Sequence, residues 1–233
     1  MTSAPTSKPA IRDAASLFIV DDRGSEPLIL VGRRAHTHIF MAGKTVFPGG
    51  RVDPEDLRLA RQFRLDGPAE ERLTAQTTRR FSATRPVALA LAAIRETYEE
   101  TGVMIGHKGQ FETASPAWQP FNQSSVIPAP ELLTPVARAI TPPGLPRRYD
   151  TRFFAVSARS IAWHTPDGAL PTNELTSVEW MSLPRLAEEP LADITRIILA
   201  ALVERMESGA LYDPTHPMVF HRRRNGAFCR ALI

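Results

Sequence analysis

Apolar residues first gather in two short runs, residues 16–20 (Ser-Leu-Phe-Ile-Val) and 27–31 (Pro-Leu-Ile-Leu-Val), with Asp21-Asp22-Arg23-Gly24-Ser25 between them. Runs of this length bounded by turn residues predict a β-hairpin. Thr45-Val46-Phe47 reads as a short strand that runs into a turn at Pro48-Gly49-Gly50. Pro86 opens the strongest helical pattern, PVALALAAIRETYEET, and Gly102 follows its last turn; proline at the start and glycine just past the end are what a helix of that span calls for. Strand patterns return at residues 103–105, 152–156 and 178–180, while the proline-rich residues 113–146 read as a long ordered loop. A second helix is predicted from Asp193 as its cap, with Ile194, Ile197, Ile198, Ala201 and Leu202 on its apolar side, to Ser208-Gly209. The last residues, which include Arg222-Arg223-Arg224, read as a basic tail. Strands flanking helices without βαβ alternation predict a mixed α/β sandwich.

Composition narrows this picture without changing it. A chain of 233 residues fits one domain, or one domain with an insertion. With 43% hydrophobic and 23% charged residues it is neither disordered nor a fibrous rod. A lone cysteine, Cys229, excludes an internal disulfide framework and a cysteine-rich zinc module. No apolar run reaches the ~20 residues of a membrane span, so no membrane is expected as partner. The opening residues lack the apolar core of a secretory signal. Residues 1–14 read as a flexible lead-in and 15–233 as one domain, with the cytoplasm as the expected location. The formal charge of +3 suits phosphorylated ligands and does not call for nucleic acid. One stretch stands apart: residues 57–85 hold seven arginines against Asp66, Glu70 and Glu71. It reads as one or two exposed helical pieces, broken at Gly67-Pro68 and inserted into the domain.

The chemistry concentrates on the first helix. At ~100° per residue, Val87, Leu91, Ile94 and Tyr98 form an apolar stripe that should pack on a sheet. Glu96 and Glu100 lie on the opposite face with Glu99 beside them, and only Arg95 is near to offset them. Like charges this close repel. A hard divalent cation such as Mg²⁺ or Mn²⁺, which prefers oxygen ligands, would relieve the repulsion. For three glutamates alone, a solvated acidic face is the competing reading.

The neighbouring residues decide between the two. Arg95-Glu96-Thr97-Tyr98-Glu99-Glu100-Thr101-Gly102-Val103, together with Phe47-Pro48-Gly49-Gly50, resembles the box of the Nudix hydrolase family. Asp56 stands where that box has its first glutamate. Thirty-eight residues separate Asp56 from Arg95 where the compact box has seven, and the excess coincides with the arginine-rich stretch. The segments Val46 to Asp53 and Arg148 to Phe154, with Arg33-Arg34 and Phe40 upstream, are similar to the branch of coenzyme A diphosphatases whose box carries an insertion.

The resemblance implies a Nudix α/β/α sandwich, a mixed sheet between helices, with an inserted helical segment in the box. It implies hydrolysis of coenzyme A or acyl-coenzyme A to 3′,5′-ADP and (acyl-)4′-phosphopantetheine. ADP-ribose, NADH or another nucleoside diphosphate derivative is the alternative substrate, and a non-catalytic nucleotide- or RNA-binding module is the alternative of another class. By resemblance Glu96, Glu99 and Glu100 hold Mg²⁺ or Mn²⁺ with a backbone carbonyl at Gly49 or Gly50, and Arg95 orients Glu99. The base is a box glutamate or a distal carboxylate, with Glu174 ahead of Glu179. Arg79 and Arg80 of the insertion, Arg33 or Arg34, and one of Arg147, Arg148 and Arg152 are expected to meet substrate phosphates; a solvated or structural role is the alternative for each. A homodimer is the assembly the family suggests.

Other signals carry less. His36 and His38 alternate but have no visible third ligand, so zinc is not supported. Cys229 reads as an inert thiol and Arg222-Arg223-Arg224 as solvated surface. No dinucleotide-binding or Walker pattern is present.

Overall fold

The computed structural model describes residues 9–34, 43–65, 67–79, 81–166, 170–224 and 226–233. Its strands are β1 (Ile11–Asp21), β2 (Leu28–Arg34), β3 (Thr45–Val46), β4 (Gly49–Arg51), β5 (Val103–Lys108), β6 (Val126–Pro128), β7 (Thr134–Ile140), β8 (Arg148–Ser157), β9 (Ile161–His164), β10 (Leu175–Ser182), β11 (Val219–Arg224) and β12 (Ala227–Leu232). Its helices are α1 (Pro54–Leu59), α2 (Gly67–Thr74), α3 (Arg85–Thr101), α4 (Gln119–Gln123), α5 (Leu183–Glu188) and α6 (Asp193–Glu207).

The main sheet runs β10-β2-β1-β8-β7-β11-β12, with β3 on β2 and β4 on β1. β1 and β2 pair antiparallel as the predicted hairpin, whereas β1 lies parallel to β8 from Ile11 opposite Arg148 to Val20 opposite Ser157. A smaller sheet, β6-β5-β9, covers the far side of α3. Alternation along β1 sorts the two cores. Ala15, Leu17 and Ile19 face α3, while Phe18 and Val20 face α6. The mixed sheet between helices is therefore the expected α/β class.

α3 spans the predicted residues and ends on Gly102, whose φ of 74° is left-handed; a Cβ there would lie 2.1 Å from Thr165 Oγ1. The helix is less one-sided than its pattern suggests. Leu89, Ala90, Leu91, Ala92, Ala93 and Ile94 are all fully buried, because α3 is enclosed by the main sheet, the small sheet, α1 and α2.

Four expectations change. The lead-in was placed at residues 1–14, yet β1 already begins at Ile11: the polar Arg12 and Asp13 lie in register with Tyr149 and Asp150 of β8. Within the proline-rich 113–146 stretch, β7 forms an inner strand between β8 and β11, with Pro135 at an irregularity in the register where its missing N–H is tolerated. The arginine-rich stretch 57–85 is not a solvated excursion, since Leu59, Ala60 and Leu73 are buried in the α3 core. The basic end is a hairpin, β11 with β12, docked parallel to β7 through Val219 and Phe220. Among the described residues no helix is long and apolar enough to cross a membrane.

Candidate active site

The site is built where β4 crosses the last turns of α3. β4 pairs with β1, Gly49 opposite Ser16 and Gly50 opposite Ala15, and each glycine has its own reason. At Gly49 φ is 157°, and a Cβ would come within 2.4 Å of the Ala15 carbonyl. At Gly50 a Cβ would meet the Glu96 carboxyl at 2.3 to 2.5 Å. The first glycine lets β4 close on β1, and the second leaves room for a box glutamate.

Arg95 organises the carboxylates. It is nearly buried, and its Nε and Nη2 grip Asp56 at 2.9 and 3.0 Å. Nη1 donates to Glu96 Oε1 at 2.9 Å and Glu99 Oε2 at 2.8 Å, and Nη2 also reaches the Arg51 carbonyl at 3.1 Å. The expected Arg95–Glu99 bond is present, and it is one of several. Asp56 is fully buried and also accepts the Asp53 N–H at 2.8 Å, closing a capping box at the start of α1. Asp56 thus joins α1 to α3 across the 38 residues that separate it from Arg95. Burial pushes the Asp56 carboxyl upward against the pull of Arg95.

Glu100 is turned the other way, accepting the Gly49 N–H at 3.0 Å. Arg34 Nη2 lies 3.7 Å from Glu100 Oε1 and 3.0 Å from Glu174 Oε2. Glu174 is therefore brought to the cluster from 74 positions further along the chain, and Thr172 beside it donates to the Glu99 carbonyl at 2.9 Å. Desolvation, reinforced by neighbouring carboxylates, raises Glu96 to about 7 and Glu100 to about 8. Glu99 is raised by the same cause. Five carboxylates thus share two arginines, Arg34 and Arg95.

The donor chemistry fits a hard divalent cation, since the set is all oxygen, anionic and desolvated. Glu96 Oε2, Glu99 Oε1 and Glu100 Oε1 accept no hydrogen bond among the described residues. The positions are not yet those of a closed coordination shell. Among the described residues no three acidic, histidine or cysteine side chains converge closely enough to hold an ion; Arg95 holds Glu96 and Glu99, and the Gly49 amide holds Glu100.

The other expected residues fall elsewhere. Glu179 sits on the α6 side of β10 and pairs with Arg185 at 2.9 Å, so it is not at the cluster. Arg33 likewise points away from α3 and pairs with Glu189 at 2.9 Å; strand alternation presents Arg34 instead. Arg152, expected to meet phosphate, is completely buried. It pairs with Asp150 at 2.7 Å and Asp13 at 3.6 Å, because residues 152, 154 and 156 of β8 all face the α3 core. Arg148 donates to the Thr141 carbonyl at 3.1 Å. Arg79 is exposed in the turn before α3, at the end opposite the carboxylates: Arg85 and Glu96 are 11 residues apart, about 16 Å of helix axis. Arg80, His36, His38 and Phe40 lie outside the described residues. Sequence reasoning missed one buried network altogether, in which Arg138 grips Asp150 at 2.8 and 2.7 Å and donates to the Ala75 carbonyl at 2.9 Å. A single charge inside the apolar run Thr-Pro-Val-Ala-Arg-Ala-Ile was its only signal.

No family model matches the chain. Over 193 residues it is 26% identical to a Caenorhabditis elegans protein bearing the name nudix hydrolase 7, covering 78% of this chain and 55% of that one. The chain therefore spans about half the length of this relative. The crystal structure of a NUDIX hydrolase from Alicyclobacillus acidocaldarius superposes with a TM-score of 0.61 at 27% identity, over 84% of this chain and 92% of that one. In its box residues, its mixed sheet and both comparisons the chain is similar to the Nudix hydrolases, whose fold it shares.

Proposed function

We propose that this protein is a divalent-cation-dependent diphosphatase acting on nucleoside diphosphate derivatives, with coenzyme A or an acyl-coenzyme A as its substrate. The single observation that carries the activity is the Arg95 clamp, which fixes Asp56, Glu96 and Glu99 at once and leaves a second oxygen of Glu96 and of Glu99 without a hydrogen bond. The substrate rests on the split box and on the segments 46–53 and 148–154, which resemble the coenzyme A branch. Mg²⁺ or Mn²⁺ on Glu96, Glu99 and Glu100 would supply charge neutralisation for the diphosphate and the leaving phosphate. The Gly49–Gly50 turn lets backbone approach a phosphate closely. Arg34, held between Glu100 and Glu174, places a guanidinium beside the same oxygens, a geometry suited to phosphate. Glu174 is half-exposed and held through one oxygen only, so its other oxygen is free to take a proton from the attacking water.

The test is hydrolysis of coenzyme A, dephospho-coenzyme A, ADP-ribose and NADH with Mg²⁺, with products resolved by chromatography. Coenzyme A is expected to be cleaved best, giving 3′,5′-ADP. Preference for ADP-ribose or NADH would keep the chemistry and remove the substrate. Turnover of all four lost only on metal removal would support the cation requirement, and no turnover with metal present would remove the enzyme reading. In the same assay Glu174→Gln should lower kcat ~10²-fold with little change in KM; an unchanged kcat would return the base to a box glutamate.

A further inference from the structure

β12 closes one end of the main sheet, and no strand among the described residues pairs with its outer edge. The hairpin ladder shows which groups that edge offers. Met218 and Ile233 exchange both backbone bonds, at 2.7 and 3.0 Å. From there β11 pairs with β12 without a register shift, from Val219 opposite Leu232 to Arg224 opposite Ala227. Antiparallel pairs alternate, so Ala231, Cys229 and Ala227 also bond inward to β11. The amides and carbonyls of Phe228, Arg230 and Leu232 therefore point away from the sheet.

An edge of this kind pairs with another strand unless proline, a bulge or charge guards it. β12 has neither proline nor bulge. Arg230 is its only charged residue, and Glu204 of α6 accepts a hydrogen bond from it at 2.8 Å, which offsets that charge. Phe228 and Leu232 flank Arg230 on the same face of the strand. They are 54% and 59% exposed, more than any other large apolar residue among the described ones. This face is the α6 side, since Leu232 lies opposite Val219 of the α6 core. The other face carries only Ala227, Cys229 and Ala231, too small to obstruct a neighbouring strand.

We infer that β12 is the contact surface of a two-fold dimer, pairing antiparallel with β12 of a second copy about a centre at Arg230. The strand is self-complementary about that centre. Phe228 falls opposite Leu232 of the second copy and Leu232 opposite its Phe228, so the exposed apolar side chains cover each other. The outward backbone groups of Phe228, Arg230 and Leu232 then all find partners. The two Arg230 side chains face each other, and each keeps its own Glu204 carboxylate to offset the repulsion. Other registers are poorer. A shift of one residue sets outward-facing groups opposite inward-facing ones, and a shift of two sets Leu232 opposite Gly226 in the turn. The dimer does not depend on the diphosphatase reading. β12 lies four strands from β1, roughly 19 Å across the sheet, so it leaves the carboxylate cluster open.

The test is sedimentation velocity of the full chain over a wide concentration range. A reversible dimer is expected that dissociates on dilution. Arg230→Pro removes an N–H that β11 does not use, and proline is tolerated on an outer edge. It should raise the dimer dissociation constant at least ~10-fold with little change in melting temperature. Leu232→Lys, at an exposed side chain, should weaken the dimer ~10-fold or more and keeps the test standing if the proline variant does not fold. Glu204→Gln lies outside the strand and leaves two arginines facing each other. It should weaken the dimer as well, and added salt should restore part of the loss by screening them. A monomer at every concentration would leave the edge to some other chain and overturn the inference. So would a dimer indifferent to both Arg230→Pro and Leu232→Lys, which would use another face, or growth into open polymers, which a two-fold contact forbids.

Discussion

At the scale of single residues the site is a problem of charge, and the two glycines and two arginines are its solution. Glu96 fits only because position 50 has no Cβ. Gly50→Ala should therefore push the carboxyl off its Arg95 hydrogen bond and lower metal-dependent kcat ~10²-fold, by analogy with losing one charge-stabilising contact, while the melting temperature moves little. Wild-type kcat in that variant would show that Glu96 is not needed where it stands. The pH response has a definite sign. Glu96 and Glu100 titrate near 7 and 8 in the folded chain against an ordinary value of 4.5, so the folded state holds protons more tightly than the unfolded one. Their contribution to stability is fully present below about pH 4.5 and is lost as pH rises through 7 and 8. Metal-free protein should melt at lower temperature at pH ~8.5 than at pH ~5.5, and Mg²⁺ should raise the melting temperature more at the higher pH, where both carboxyls are ionised. Thermal melts with and without chelator check this, and a flat profile would refute it.

At the scale of elements, the arginine-rich stretch 57–85 is the part whose role differs most from its sequence. Its arginines advertise a solvated excursion, yet α2 buries Leu73 in the α3 core, and Arg138 of β7 caps the segment that follows by donating to the Ala75 carbonyl. Leu73 is fully buried, so Leu73→Ala should cost about 2–4 kcal/mol in a denaturant titration; a loss under about 0.5 kcal/mol would mean that α2 is not part of the fold. α3, by contrast, was readable to within a residue, because Pro86, the apolar spacing and Gly102 are all local signals. β7 was not, because its proline and its arginine look wrong for an inner strand until Asp150 and the irregularity at Pro135 are in place.

At the scale of the whole molecule, the local sequence determined the hairpin, α3 with its three glutamates, the Gly49–Gly50 turn and the mixed α/β class, since each follows from neighbours within about one helical turn or one strand. Glu174 was also named from sequence, but its place beside Glu100 depends on β10 pairing with β2, a contact between residues some 140 positions apart. Tertiary structure alone chose Arg34 over Arg33, by fixing which face of β2 meets α3. It likewise buried Arg152 among Asp13 and Asp150 instead of offering it to a phosphate, and made Asp56 the clasp between α1 and α3. The division has a physical cause: helix ends, turns and side-chain periodicity are encoded over a few residues, whereas the partner of a charge is set by strand pairing across the chain, and only that pairing decides which arginine is buried in the core and which lies beside the carboxylate cluster.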